Sequence, residues 1–352
     1  MRVPYMVLSP TAGTVNLDAV SGDGDQALAG QIIPDGQVAF QLTDANGVPV
    51  TATAVTFSQA RGSVPLTISN ASTTTDNYGF AYATVTIGSQ TGSYAVNASG
   101  GGQSYQFSGS VSLPPTVSAG GVVNAANSTA PVAPGSYVSI YGSNLSYTTD
   151  ENYSAVRLPL SMDQVTVSFD AAATGSLPAV SVPGHIVYVS PGQVNIQVPW
   201  ELQGYSSAKM KVTLYEFGFG NVVSVPIANY TPAMFGSSVA AAENATTGQV
   251  ITSANPAARG SVVSLFCNGL GPVTNQPASG DSAGVPLSST TTAATVTISG
   301  ASANVTFSGL APGFPGLYQV NFQVPSSIQA GNQPVIVSIG GVSSPALTLP
   351  VQ

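Results

Sequence analysis

The chain has 352 residues, only 6% of them charged, and its fourteen Asp and Glu outweigh six Lys and Arg to leave a net charge of −8. With no basic patch to neutralise phosphates, the composition argues against nucleic acid and anionic membrane surfaces as partners. Cys267 is the only cysteine, which excludes an intrachain disulfide and a cysteine-based zinc site.

The chain opens with MRVPYMVLSPTA, an apolar, β-compatible stretch without the polarity of a solvated tail. It is too short and too broken by Pro4 for a signal-peptide core, so any leader is expected to have been removed before it. No apolar run approaches the roughly 18 residues of a membrane helix, so no membrane insertion is expected. Residues 1–14 are expected to form an extended arm. Two readings are open: the arm folds back on its own domain, or it adds as a strand to the next subunit's sheet through Val3, Tyr5, Val7 and Leu8.

Residues 15–113 are expected to be a β-sandwich. VAFQLTDANGVPV alternates and then turns at Asn46-Gly47, and AYATVTIG, SYAVNAS and SYQFSGSV follow at short spacing. Asp23, Asp25, Asp44 and Asp76 lie in the turns SGDGDQ, TDANG and TDNYG. They either cap the backbone of those turns or gather at one end of the sandwich as oxygen ligands for calcium. None of the three turns carries the full EF-hand pattern.

After SLPPTVSAGG come two further strand-rich blocks, 116–228 and 229–352. APGSYVSIYGSNL from Ala133 aligns with ARGSVVSLFCNGL from Ala258, an offset of 125, and QVNIQVP from Gln193 aligns with QVNFQVP from Gln319, an offset of 126. Matches in one order at a nearly constant offset mean a duplicated domain. Within the phrase, Gln193, Asn195 and Gln197 alternate with Val194, Ile196 and Val198, as Gln319, Asn321 and Gln323 do with Val320, Phe322 and Val324. The apolar face belongs to a core; the amide face is either a solvated sheet surface or a contact with a neighbouring domain or subunit. The fold class is therefore all-β, with three consecutive immunoglobulin-like sandwiches, the second and third an internal duplication. No stretch reads as an amphipathic helix.

Little points to chemistry. His185, the only histidine, has no Ser and acid arranged beside it as a triad, and packing is the better reading. Cys267, on an apolar strand without a cationic neighbour, reads as an inert buried thiol. Asp150, Glu151 and Glu201 suggest no glycosidase pair. Trp200 and Tyr205, with Tyr215 and Phe217, either form an aromatic platform for a sugar or, in the case of Trp200, seal a domain junction. Glycosylation sequons begin at Asn70, Asn97, Asn127, Asn144, Asn152, Asn229, Asn244 and Asn304. Neither a P-loop nor a dinucleotide fingerprint occurs, and no catalytic residue, metal or cofactor is assigned.

Three stretches of the first block, AVSGDGDQALAGQ, LTDANGVPVTATAVTFS and TTDNYGFAYATVTIG, resemble bacterial Ig-like domains of the invasin and intimin type. The resemblance implies a spacer or stalk module of surface proteins, without catalysis. From Val117 onward, VVNAANS, APGSYVSIYGSNL, YVSPGQVNIQVPWEL, NPAARGSVVSLFCNGLGPV and GLAPGFPGLYQVNFQVP resemble the Solibacter C-terminal domain family of large secreted acidobacterial proteins. That likeness implies secretion and β architecture and transfers no site. Such domains usually end much longer chains, whereas one Ig-like module precedes this one.

The expectation is an exported, non-enzymatic structural protein, extracellular or on the cell surface. It would be the repeating subunit of a pilus-like filament or surface layer, a head-to-tail homopolymer joined by donor-strand addition of the arm. The alternative is a monomeric surface adhesin or stalk that binds glycan, through Trp200 and Tyr205, or a host protein.

Overall fold

The computed structural model describes residues 13–152, 156–215 and 218–352. Val3, Tyr5, Val7 and Leu8 of the arm, and Phe217, lie outside the described residues. Strands dominate, and the one helical element among the described residues is a single 3₁₀ turn, Trp200–Leu202. The period-two alternation is the cause: in Val38–Asp44, Phe40 and Leu42 are wholly buried while Gln41 and Thr43 are half-buried. The chain divides into two compact units on either side of Pro114/Pro115, a few residues around Gly218 aside.

The first unit is a sandwich of two four-stranded sheets. One runs Val15–Ser21, Val38–Asp44, Phe80–Ile87, Leu66–Ser69; the other runs Gln26–Leu28, Gln103–Ser112, Gly92–Gly100, Val55–Gln59. Phe40, Ile87, Tyr94 and Phe107 fill the core between them. Each such side chain contributes about 1.5–3 kcal/mol by leaving water. The expected turn forms at Asn46-Gly47: Gly47 has φ 78°, and Asp44 Oδ1 accepts from the N–H groups of Asn46 (2.8 Å) and Val48 (2.9 Å).

The second unit contains both copies of the repeat. In copy one, one sheet runs Asp150–Glu151, His185–Val189, Gln193–Gln197, Tyr137–Ser143, Thr116–Asn124, and the other is built around Val165–Ala171 and Ser207–Leu214. Val138, Ile140, Val194 and Ile196 from the first sheet, and Val167, Phe169 and Val212 from the second, are buried. Copy two is one continuous nine-stranded sheet that folds over on itself through Ala301–Leu310. That strand pairs with Thr295–Ile298 through residues 301–303 and with Tyr318–Gln323 through residues 304–310, with an irregularity between Val305 and Phe307. Both halves bury side chains in one core, including Leu265, Tyr318, Phe322, Val335 and Val337.

The duplication extends to strand register. In copy one Ser139 is opposite Asn195 and Tyr141 opposite Gln193; in copy two Ser264 is opposite Asn321 and Phe266 opposite Gln319. Each copy thus sets an aromatic ring and a serine on one strand beside a glutamine and an asparagine on the next.

Candidate functional site

The amide face of copy one forms one wall of a cleft of about 500 Å³. Period-two geometry puts Tyr137, Ser139 and Tyr141 on that face, in register with Gln197, Asn195 and Gln193. Copy two supplies the facing rings Phe235, Phe266 and Phe314, together with Leu317. Phe314 and Tyr141 stand at the mouth, 46% and 40% exposed.

The polar chemistry of the cleft is carried by two amides. Gln193 Nε2 donates to Asn195 Oδ1 at 2.7 Å, which orients both side chains. Gln193 Oε1 and Asn195 Nδ2 have no protein partner among the described residues, so the pair presents one acceptor and one donor. The described residues lining the cleft include no Asp, Glu, Lys, Arg or His. Burial pushes the Tyr137 hydroxyl well above its ordinary range, so it stays neutral.

The cleft is held by buried amides that cross between the copies. Asn268 binds the main chain of Tyr137 and donates to Asn124 Oδ1 at 2.9 Å, while Asn124 Nδ2 donates to the Thr231 carbonyl at 2.8 Å. Gln197, fully buried, accepts from the Gly280 N–H at 2.6 Å and donates to the Gly135 carbonyl at 3.3 Å. The amide face therefore does two things. Gln197 makes the interdomain contact, and Gln193 and Asn195 face an open cavity.

The sugar-platform alternative at Trp200 and Tyr205 is corrected by their burial. Only 3% of Trp200 and 5% of Tyr205 is exposed, leaving no ring face on which a sugar can stack. Trp200 belongs to the core of copy two, although it follows a strand of copy one, and its ring lies against Gly135. Its main-chain N–H donates to Ser279 Oγ at 2.9 Å, and the Ser279 hydroxyl donates to Glu201 at 2.6 Å. The junction reading of this tryptophan is the one observed. The Tyr205 hydroxyl donates to the Pro178 carbonyl, and Tyr215 is exposed elsewhere.

The calcium candidates do not assemble, and no group of three or more His, Cys, Asp or Glu suited to a metal occurs among the described residues. Asp44 caps its turn as described, and Asp76 Oδ1 likewise accepts from the N–H groups of Tyr78 and Phe80. Asp23 accepts from the Tyr105 hydroxyl at 2.6 Å and the Ser108 N–H at 2.9 Å; the Tyr105 bond above all holds its carboxyl below the usual range. Burial, with Asp35 and Asp23 nearby, pushes Asp25 up. These carboxylates hold turns and loops together, which is why Asp recurs at those positions.

His185 packs against Gly280 of copy two, with Nδ1 buried and without a hydrogen-bond partner among the described residues. Burial lowers its pKa. Cys267 is wholly buried, and the same cause pushes its thiol far up, away from the reactive thiolate. Of the sequon asparagines, Asn70, Asn97, Asn229 and Asn304 are exposed, and Asn127, Asn144, Asn152 and Asn244 are half-buried.

Sequence reasoning did not single out Tyr137, Tyr141, Phe235, Phe266 and Phe314. The signal for the tyrosines was present: in YVSIY they share a face with Ser139, opposite the core residues Val138 and Ile140. Two large rings on the polar face of a strand mark a surface that something covers or occupies.

No protein-family model matches the sequence, and no curated protein matches it. Membership of the Solibacter C-terminal domain family is thus not shown. Among solved structures, the chain is similar to a C-terminal fragment of intimin in complex with the intimin-binding domain of its translocated receptor, with 14% identity, 62% of this chain and 66% of that chain covered, and a TM-score of 0.36. It is also similar to FdeC, an Escherichia coli adhesin, with 15% identity, 99% and 100% covered and a TM-score of 0.24. A third is a Bacteroides ovatus protein of a glucan utilization locus in complex with a mixed-linkage heptasaccharide, with 13% identity, 98% and 68% covered and a TM-score of 0.29. The chain spans just under two thirds of the intimin fragment. At TM-scores this low the likenesses carry no argument, and the fold stands on the sheets described above.

Proposed function

We propose that this chain is a non-catalytic protein of the extracellular surface, of the adhesin kind, that holds its ligand in the cleft between the two repeats. The observation that carries this reading is the cleft itself. It is concave and ring-lined, has two amides oriented with free hydrogen-bonding atoms, and has no Asp, Glu, Lys or His in its described lining to activate the Ser139 hydroxyl. A chain with so few charges, built of sandwiches in sequence, suits a spacer that presents such a site. The test coats beads with the full chain and measures their retention on extracellular material from the producing cells. A Tyr141→Ala/Phe314→Ala variant that keeps its melting temperature and loses retention supports the reading; equal retention sinks it.

A second reading, polymerisation through the N-terminal arm, is favoured by the apolar, β-compatible sequence of residues 1–12. Negative-stain microscopy and light scattering of the chain beside a deletion of those residues test it. Filaments that vanish on deletion support the arm as connector, and single particles in both samples remove it.

A further inference from the structure

Both repeats carry the same face, yet only one of them lies under the cleft. Phe266, a wall of the cleft, stands directly opposite Gln319, the first amide of the second copy. Gln319 Nε2 donates to Asn321 Oδ1 at 2.7 Å, the same bond at the same length as between Gln193 and Asn195. Again one acceptor, Gln319 Oε1, and one donor, Asn321 Nδ2, have no protein partner among the described residues. Two residues further along the same face, Gln323 is exposed and spends only Nε2, on the Gly260 carbonyl at 3.0 Å. There the surface dips into a second hollow of about 300 Å³, lined by Gln323, Asn304, Ser302, Gly260, Ser326 and Ser327.

We propose that the binding site is longer than the cleft: a linear, uncharged glycan sets its first rings in the cleft and runs on along Tyr318–Gln323 to the hollow beside Gln323. This rests on the reading of the cleft as a ligand site given above. From Gln319 to Gln323 the strand advances about 13 Å, at about 3.3 Å per residue, with an amide on the same face at every second position. That is a row of donors and acceptors leading away from a ring-lined end.

The chemistry selects a saccharide over a peptide. The strands beneath the cleft, Tyr137–Ser143 and Gln193–Gln197, are paired on both sides, so no main-chain edge is open for a peptide to add to. Recognition falls to side chains alone. Pyranose faces are apolar and stack on rings, while hydroxyls both donate and accept, as the paired amides require. The uncharged lining offers nothing to a uronate, a sulfate or a basic segment. The repeat supplies the extension, because copy two inherits the serine and amide positions and substitutes Phe266 for Tyr141.

The experiment is calorimetry and affinity electrophoresis of the full chain. The probes are gluco-, xylo- and manno-oligosaccharides of two and six units, a six-unit oligogalacturonate and a proline-rich peptide. One neutral series is expected to bind, its hexamer about tenfold or more tighter than its dimer. Gln319→Ala with Gln323→Ala is expected to weaken the hexamer roughly threefold to tenfold and leave the dimer unchanged. Phe314→Ala is expected to weaken both. These side chains are not buried, and an unchanged melting temperature confirms the fold in each variant. Equal affinity for dimer and hexamer, or a hexamer indifferent to the glutamine pair, overturns the extended site and leaves the cleft standing. Saccharide binding unmoved by Phe314→Ala together with Tyr141→Ala removes the cleft itself. Binding of only the peptide or the oligogalacturonate, or of no probe, overturns the ligand class.

Discussion

Asn268 closes its side-chain amide on the main chain of Tyr137: Oδ1 accepts from the Tyr137 N–H at 2.9 Å and Nδ2 donates to the Tyr137 carbonyl at 2.7 Å. The two residues are 131 positions apart and belong to different copies of the repeat. An asparagine here does what a neighbouring strand would do, satisfying both main-chain groups of one residue. It also fixes the tyrosine that floors the cleft. Asn268→Ala leaves the Tyr137 N–H without its partner, while the Tyr137 carbonyl and Asn124 Oδ1 keep the N–H groups of Ala125 and Ala126, so the expected cost is about 1–3 kcal/mol. Chemical denaturation that shows no loss in the transition of residues 115–352 would refute this role.

Trp200 and Phe314 are expected to separate stability from binding. Truncating the buried Trp200 to Ala removes a ring from the core of copy two, with an expected loss of about 3–5 kcal/mol. Phe314→Ala, at a half-exposed ring, is expected to cost less than about 1 kcal/mol while weakening ligand binding. Paired melting curves and binding isotherms check this. A Trp200→Ala protein of wild-type stability with lost binding would restore the sugar-platform reading.

Acid is expected to loosen the junction between the repeats. Burial holds the His185 pKa below its ordinary 6.5, with Arg157 acting the same way, while Glu201 and Asp281 oppose it. As pH falls through 6.5 the unfolded chain takes up a proton that the folded chain refuses. The stability is therefore full above that pH and is lost below it. His185→Gln should flatten the fall in melting temperature between about pH 7 and pH 5 relative to the parent. Parallel profiles for the two proteins would show that other groups control the acid limb.

Base is expected to act through tyrosine. Tyr94, Tyr137 and Tyr318 are all raised above the ordinary 10.0, each chiefly by burial. Below pH 10 these phenols are neutral in both states and contribute no slope. Above it the unfolded chain ionises first, and stability falls. Ultraviolet titration should show late-ionising tyrosines that appear only as the protein unfolds. Binding in the cleft should be flat from about pH 7 to pH 9, since its described lining holds no Asp, Glu, Lys, Arg or His.

The strands were legible because alternation is a local property. Val138 and Ile140 against Tyr137 and Tyr141, or Val194 and Ile196 against Gln193 and Asn195, sort themselves into core and outer faces without reference to the rest of the chain. The Asn46-Gly47 turn and the duplication were legible for the same reason, since φ at Gly47 and the spacing of two phrases need no partner. Trp200 was legible only as a choice between surface and junction, because a ring after a strand end suits both.

By itself, then, the sequence determined an all-β chain with a duplicated second half, an uncharged character, and a polar amide face on an apolar-backed strand in each copy. Only the tertiary structure decided which part of that face is closed and which is open. Gln197 is buried against Gly280, Gln193 and Asn195 look across a cleft at Phe235, Phe266 and Phe314, and Gln319 to Gln323 lie along a face that leads away from it. The reason is separation along the chain: residues as far apart as Gln197 and Gly280, 83 positions, or Tyr137 and Asn268, 131 positions, meet only when two finished sandwiches pack. That packing is set by side chains such as Asn268, Gln197 and Trp200, whose partners no local pattern names.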